Sequence, residues 1–182
     1  NYENSNFLIE DCCQALGTTL RGKKVGSFGD FSIFSFQETK HITTLGEGGM
    51  LCSNNEELID IAANIRNHAE YYSSKPYFGY NYRMTESQAA FGRVQLKKLP
   101  KILKMLRSNA KLVMKKLPNG IEPPYIPKHV DHSFLILGCT YDQNIVGVSR
   151  EKFLEKLTKN RKHILGQDEK SDIKGINMTS GK

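Results

Sequence analysis

Apolar residues come in short runs near the start of the chain and in long periodic stretches further on. Phe7, Leu8 and Ile9 form a run that ends on Glu10 and Asp11, the way a buried strand delivers a carboxylate to its carboxyl end. In α/β sheets, ligands gather at that end. Glycines and lysines from Gly17 to Gly29 mark turns, and Phe31 to Phe36 predicts a second strand, interrupted by Ser32 and Ser35. After Gly46, Gly48 and Gly49 comes a brief apolar stretch, Met50 to Cys52. Asn54 with Glu57 has the spacing of a capping box, and Leu58, Ile61, Ala62 and Ile65 then fall on one helical stripe.

Thr85 and Gln88 repeat the capping signal before a longer pattern, in which Ala89, Gly92, Leu96, Leu99, Leu103, Leu106, Ala110, Val113 and Leu117 alternate spacings of three and four. Pro100 removes a backbone donor in mid-pattern, so the spacing predicts a kinked helix or two abutting ones rather than a coiled coil. Pro118, Asn119 and Gly120 end it, and Pro123, Pro124 and Pro127 mark a linker. A domain boundary is expected there, between residues 1–118 and 119–157. His132 to Thr140 reads as a strand, Ser149 caps a helix carrying Phe153, Leu154 and Leu157, and residues 158–182 are expected to be a polar, disordered tail.

Composition narrows the classes. Twenty-six basic against nineteen acidic residues give a net charge of +7, which could favour an anionic partner. Much of that charge lies between Arg93 and Lys116, where lysines alternate with leucines, and a solvated helix face explains it better than a nucleic-acid patch. Four cysteines, two of them adjacent at Cys12 and Cys13, do not make a disulfide framework. Reduced thiols, no membrane span and a cytoplasmic location are expected. His129, Asp131 and His132 lack a further ligand at metal-binding spacing, so no metal is expected.

Three stretches carry the chemistry: IEDCCQALG, then GKKVGSFGDFSIFSFQETKHITTLGEGGM, then GYNYRMTESQAAFGRVQL. In order and spacing they resemble the central part of the DegT/DnrJ/EryC1/StrS family of pyridoxal-phosphate (PLP) sugar aminotransferases. The resemblance spans Ile9 to Leu96. It implies an α/β, type I PLP-dependent transferase fold, present in part: the second half of the large-domain sheet, the long interdomain helix and the beginning of the small C-terminal domain. The chain is accordingly expected to be a segment of a protein about twice as long.

The same resemblance implies roles. Asp11 matches the aspartate that stabilises the protonated pyridine of PLP, a charge the cofactor needs as an electron sink. Lys40 matches the lysine that condenses with the cofactor aldehyde and later carries a proton between two carbons. Ser35 resembles the serine that bonds the phosphate, although it could simply satisfy nearby backbone. Gln14 resembles the residue beside the cofactor ring, although it could be a surface amide. Asn81 resembles an asparagine that reaches the phosphate in the partner subunit, which implies a homodimer with shared active sites. His41 could touch substrate, but a lone histidine is more often structural. Some relatives carry histidine in place of the lysine and dehydrate sugars; this chain keeps Lys40, with His41 after it, so transamination is expected.

Two functions follow. One is a segment of an enzyme that moves an amino group, from glutamate, to a nucleotide-linked keto sugar in amino-sugar and surface-polysaccharide synthesis. The other is a non-catalytic remnant that binds a partner through its basic helix and the tyrosines at Tyr71, Tyr72, Tyr77, Tyr80 and Tyr82. Such tyrosines suit base stacking, but a packed loop at a subunit interface accounts for them equally well.

Overall fold

The computed structural model describes residues 6–70 and 78–164, which leaves Tyr71, Tyr72 and Tyr77 outside the described residues. Strand β1 (Ile9–Asp11) lies parallel to β4 (Phe31–Ser35), and β5 (Gly49–Cys52) runs antiparallel on the far side of β4. The crossover between β1 and β4 carries a hairpin, β2 (Thr19–Leu20) and β3 (Lys23–Lys24), where only turns were expected. β2 also pairs with β7 (Val130–Asp131). Among the described residues β1 pairs on one side only, with β4, and Phe7, Leu8 and Ile9 are 48%, 53% and 61% exposed.

Helix α1 (Glu56–Arg66) is capped one residue later than its spacing suggested: the Leu58 N–H donates to Asn55 Oδ1 at 3.3 Å, so Asn55 rather than Asn54 is the cap. Helix α2 (Glu86–Met114) begins at the expected capping box, with the Gln88 N–H on Thr85 Oγ1 at 3.3 Å and the Thr85 N–H on Gln88 Oε1 at 3.1 Å. It runs through Pro100 as one helix of 29 residues, about 43 Å at 1.5 Å per residue. Its apolar stripe is buried only in part. Leu99, Leu103 and Ala110 are buried, while Leu96 and Val113 are about half exposed. The lysines of α2 face solvent, as a solvated helix face requires.

Among the described residues, those of 1–116 and 123–138 form one compact unit, and those of 117–122 and 139–182 a second. The first is centred on Ile42, Leu99 and Leu103, flanked by Leu16, Phe36 and Ile102. In the second, β6 (Ile121–Glu122) pairs with β8 (Thr140–Tyr141), and α3 (Gln143–Val146) precedes α4 (Arg150–Ile164). The Tyr141 ring lies 5.1 Å from that of Phe153. Residues 132–139 do not form the expected strand; the extended pairs sit at either end of that segment, in β7 and β8. The Ser149 hydroxyl accepts from the Lys152 N–H at 3.4 Å, capping α4 as expected, but α4 continues past Thr158, so 158–164 are helical rather than disordered. Residues 165–182 lie outside the described residues. No helix among the described residues is long and apolar enough to cross a membrane.

Candidate active site

The parallel pairing of β1 with β4 sets Asp11 opposite Ile33, so both strands present their carboxyl ends side by side. Beyond β1 the chain turns at once: the Cys12 N–H donates to Ile33 O at 2.9 Å and the Ala15 N–H to Cys12 O at 3.0 Å. Asp11 is exposed at this turn, and its Oδ1 accepts from the Cys13 N–H at 3.0 Å. The Cys13 thiol and main chain, helped by the charge of Lys40, outweigh desolvation and hold the Asp11 carboxyl below its usual range. The ionised form of Asp11 is therefore favoured, chiefly by Cys13, with the charge of Lys40 the smallest of the causes. Burial, then Asp11, pushes the Cys13 thiol up, and burial takes Cys12 to about 11. Neither is a thiolate at neutral pH, and none of the four cysteines is in a disulfide.

Beyond β4 the chain forms a loop closed at its base by Phe36, whose N–H donates to Gly48 O at 2.8 Å and whose carbonyl accepts from the Thr44 N–H at 3.2 Å. At its start, Ser35 Oγ accepts from the Gln37 N–H at 3.3 Å, and Gln37 Oε1 accepts from both the N–H and the hydroxyl of Thr39. The Lys40 N–H donates to Gln37 O at 2.9 Å, completing a tight turn that holds the half-buried lysine. Three buried residues then anchor the loop: His41, Ile42 and Thr44. Ile42 packs against Leu99 and Leu103 of α2, and Thr44 meets α2 at Gly92.

Of the residues singled out from the sequence, the structure brings Asp11, Ser35 and Lys40 to one end of the β1–β4 pair. Gln14 is exposed on the turn after Asp11. Asn81 stands apart, bridging Asn67 beyond α1, with its Oδ1 accepting from Arg83 Nε at 3.0 Å and the Tyr80 and Tyr82 rings stacked beside it, 5.1 Å apart.

Sequence reasoning missed two residues that hold this frame. Glu10 accepts from the Gly26, Phe28 and Gly29 N–H groups at 2.6–2.7 Å, pinning the loop before β4 to β1. Burial pushes its carboxyl up, but those three N–H groups and Lys23 win, and its pKa is lowered. The glycines facing a strand-end carboxylate were a usable signal. Arg107 of α2 donates to Gly17 O and His132 O, both at 3.0 Å, and pairs with Asp131 at 2.9 Å. One more cation in a lysine-rich helix gave no such signal. Asp131 is taken up by Arg107 and His132 Nδ1 by the Phe134 N–H; among the described residues no cluster of three potential ligands could hold a metal ion.

PLP asks for an anion to face its ring nitrogen, an amine within reach of its aldehyde and donors for its phosphate. Asp11, Lys40 and the Ser35 hydroxyl, gathered at one end of the β1–β4 pair, are of the residue types these demands call for.

Parallel strands ending at a carboxylate and a lysine loop, backed by a long helix, are the core of an α/β transferase of the type I PLP fold. Residues 3–167 match the DegT/DnrJ/EryC1/StrS aminotransferase family, and the chain belongs to it. The GDP-perosamine synthase of Vibrio cholerae is 40% identical over 148 residues, 78% of this chain and 39% of that protein. Helicobacter pylori PseC, an aminotransferase involved in the biosynthesis of pseudoaminic acid, matches at a TM-score of 0.72 and 30% identity, over 85% of this chain and 43% of that one. A GDP-4-keto-6-deoxymannose-3-dehydratase (ColD), solved as a mutant with bound GDP-perosamine, matches at 0.74 and 27% identity, over 86% and 45%. The chain spans about two fifths of the length of the curated relatives it matches.

Proposed function

We propose that this chain is the cofactor-holding segment of a PLP-dependent aminotransferase that passes an amino group, from glutamate, to a nucleotide-linked keto sugar. The observation that carries the reading is the placement of Asp11 and Ser35 at the carboxyl ends of two parallel strands, with the Lys40 turn following directly on Ser35. When bound, PLP supplies an electron sink for the transfer. Asp11 would keep the ring nitrogen protonated, Ser35 would hold the phosphate, Gln14 would flank the ring, and Lys40 would anchor the cofactor and carry a proton on Nζ. Asn81 would complete the phosphate site of a second copy, which makes the working form a homodimer. Residues 117–122 and 139–164 would begin a small C-terminal domain. That one relative in fold is a dehydratase leaves two chemistries to weigh, and the lysine at position 40 favours amino transfer.

The test is chemical. Borohydride reduction of the intact parent protein with PLP, followed by peptide mapping, is expected to leave the pyridoxyl group on Lys40, and Lys40→Ala to remove it with the fold intact. A label on any other lysine in preference to Lys40 rejects the assignment. A parent protein that releases a sugar hydroxyl and moves no amino group from glutamate rejects transamination.

A further inference from the structure

His41 follows Lys40 and is one of the three buried anchors of its loop, at 7% exposure. The other two are satisfied: Ile42 is apolar and packed, and the Thr44 hydroxyl donates to Glu47 O at 2.7 Å. Neither ring nitrogen of His41 has a hydrogen-bond partner among the described residues. A buried imidazole in that state is costly, and a buried imidazolium more so.

The groups around it come from three elements. Lys40 lies on its own loop, His132 and Ser133 on the segment after β7, and Arg107 on α2; each charge among them is positive. Burial first, then these charges, hold the His41 pKa below its ordinary 6.5, while a weak main-chain interaction with Ser133 opposes them in part. Ser133 is itself fully buried, and its N–H donates to the Thr18 hydroxyl at 3.1 Å. The wall against His41 is thus tied to the chain that leaves Asp11, and Arg107 ties it again at Gly17 and His132.

We propose that His41 is a positioning residue for Lys40: its neutral ring, wedged against Ser133, locks the main chain of the lysine loop, and protonating that ring releases the loop. The idea rests on the reading of Lys40 as the attachment residue, and it adds a pH-dependent device to that site. Above the ordinary histidine range the loop is held and Lys40 stays in register with Asp11. Below it, an imidazolium beside Lys40, Arg107 and His132 finds no carboxylate among the charges that act on it, Asp131 being taken up by Arg107.

Two readouts test it on the intact parent protein. Amide exchange of residues 37–44 without cofactor, corrected for intrinsic rates, is expected to be about tenfold faster at about pH 5.5 than at about pH 7.5, on either side of the histidine range. His41→Gln, neutral at both, is expected to lose most of that step and keep the protection; His41→Ala loses protection at both. In borohydride trapping with PLP at the higher pH, wild type and His41→Gln are expected to carry the label on Lys40, and His41→Ala about tenfold less. A pH step of undiminished size in His41→Gln overturns the proposal, His132 accounting for any smaller remainder. So does a folded His41→Ala with wild-type protection and labelling. If His41→Ala does not fold, the size of the step in His41→Gln decides alone. Wild-type protein without label on Lys40 fails the cofactor reading instead, whereas label lost in His41→Ala alone leaves that reading standing.

Discussion

The Lys40 loop has little freedom because its buried residues sit against close backbone. At Gly92 on α2 an added Cβ would lie 2.7 Å from Thr44 Cγ2, and Thr44 is 1% exposed and β-branched, so it has no flexible end to swing away. Alanine should gain about 0.5–1 kcal/mol over glycine in a helix, but overpacking a filled site costs about 1–3 kcal/mol. The second term wins. Gly92→Ala is expected to destabilise the chain by about 1 kcal/mol and to lower labelling of Lys40, read by urea unfolding and by borohydride trapping. A variant as stable as wild type would mean that Thr44 and its loop move aside freely.

At the scale of elements, α2 is more than a surface helix because Arg107 gathers two other segments onto it. A guanidinium can reach Gly17 O, His132 O and the Asp131 carboxylate together because its donors form a fixed fork. Arg107→Lys keeps the charge and loses the fork, so it should recover little of the stability that Arg107→Ala gives up, about 1–3 kcal/mol for charged hydrogen bonds of this kind. Urea midpoints of the two variants check this: a lysine variant equal to wild type would reduce Arg107 to a simple ion pair. The segment it holds, residues 130–133, reads as part of a linker and strand in sequence, and β2 together with Arg107 draws it back onto the first unit.

For the molecule as a whole, the shifted groups give acid instability in two windows. His41 and His132 both have lowered pKa values, chiefly from burial, so between those values and 6.5 the unfolded chain binds more protons than the folded one. Stability is therefore full above about 6.5 and falls as pH drops below it. Glu10 and Asp11 are lowered too, and their contribution is present above the ordinary carboxylate range and lost as pH falls through their folded values. Urea midpoints across this range should drop in two steps, and His41→Gln should shrink the first. A flat profile between pH 7.5 and 5.5 would contradict the burial of both histidines.

The proposed sharing of sites between copies gives a sharper whole-molecule test. If Asn81 serves its partner, Lys40→Ala and Asn81→Ala chains each bind PLP poorly, but a mixed dimer of the two regains one intact site. Mixing them should restore cofactor retained on gel filtration, and no recovery would mean that Asn81 acts within its own chain or not at all.

Much of this was legible in the residues themselves. A run ending in Asp11, the capping pair Thr85 and Gln88, and the helical stripes of α1 and α2 are local signals, written in periods of two or 3.6 and in short side-chain reach. The chemistry proposed for Lys40 likewise depended on its place in a motif, which sequence carries. What sequence did not carry were the contacts between distant segments: Glu10 with the Gly26–Gly29 turn, Arg107 with Gly17 and His132, and His41 against Ser133. Such pairings depend on which segments meet in space, and a glutamate, an arginine or a histidine looks the same in sequence whether it faces water or closes the core. Tertiary structure decided those, because burial and hydrogen bonding are properties of position in the fold, not of residue type.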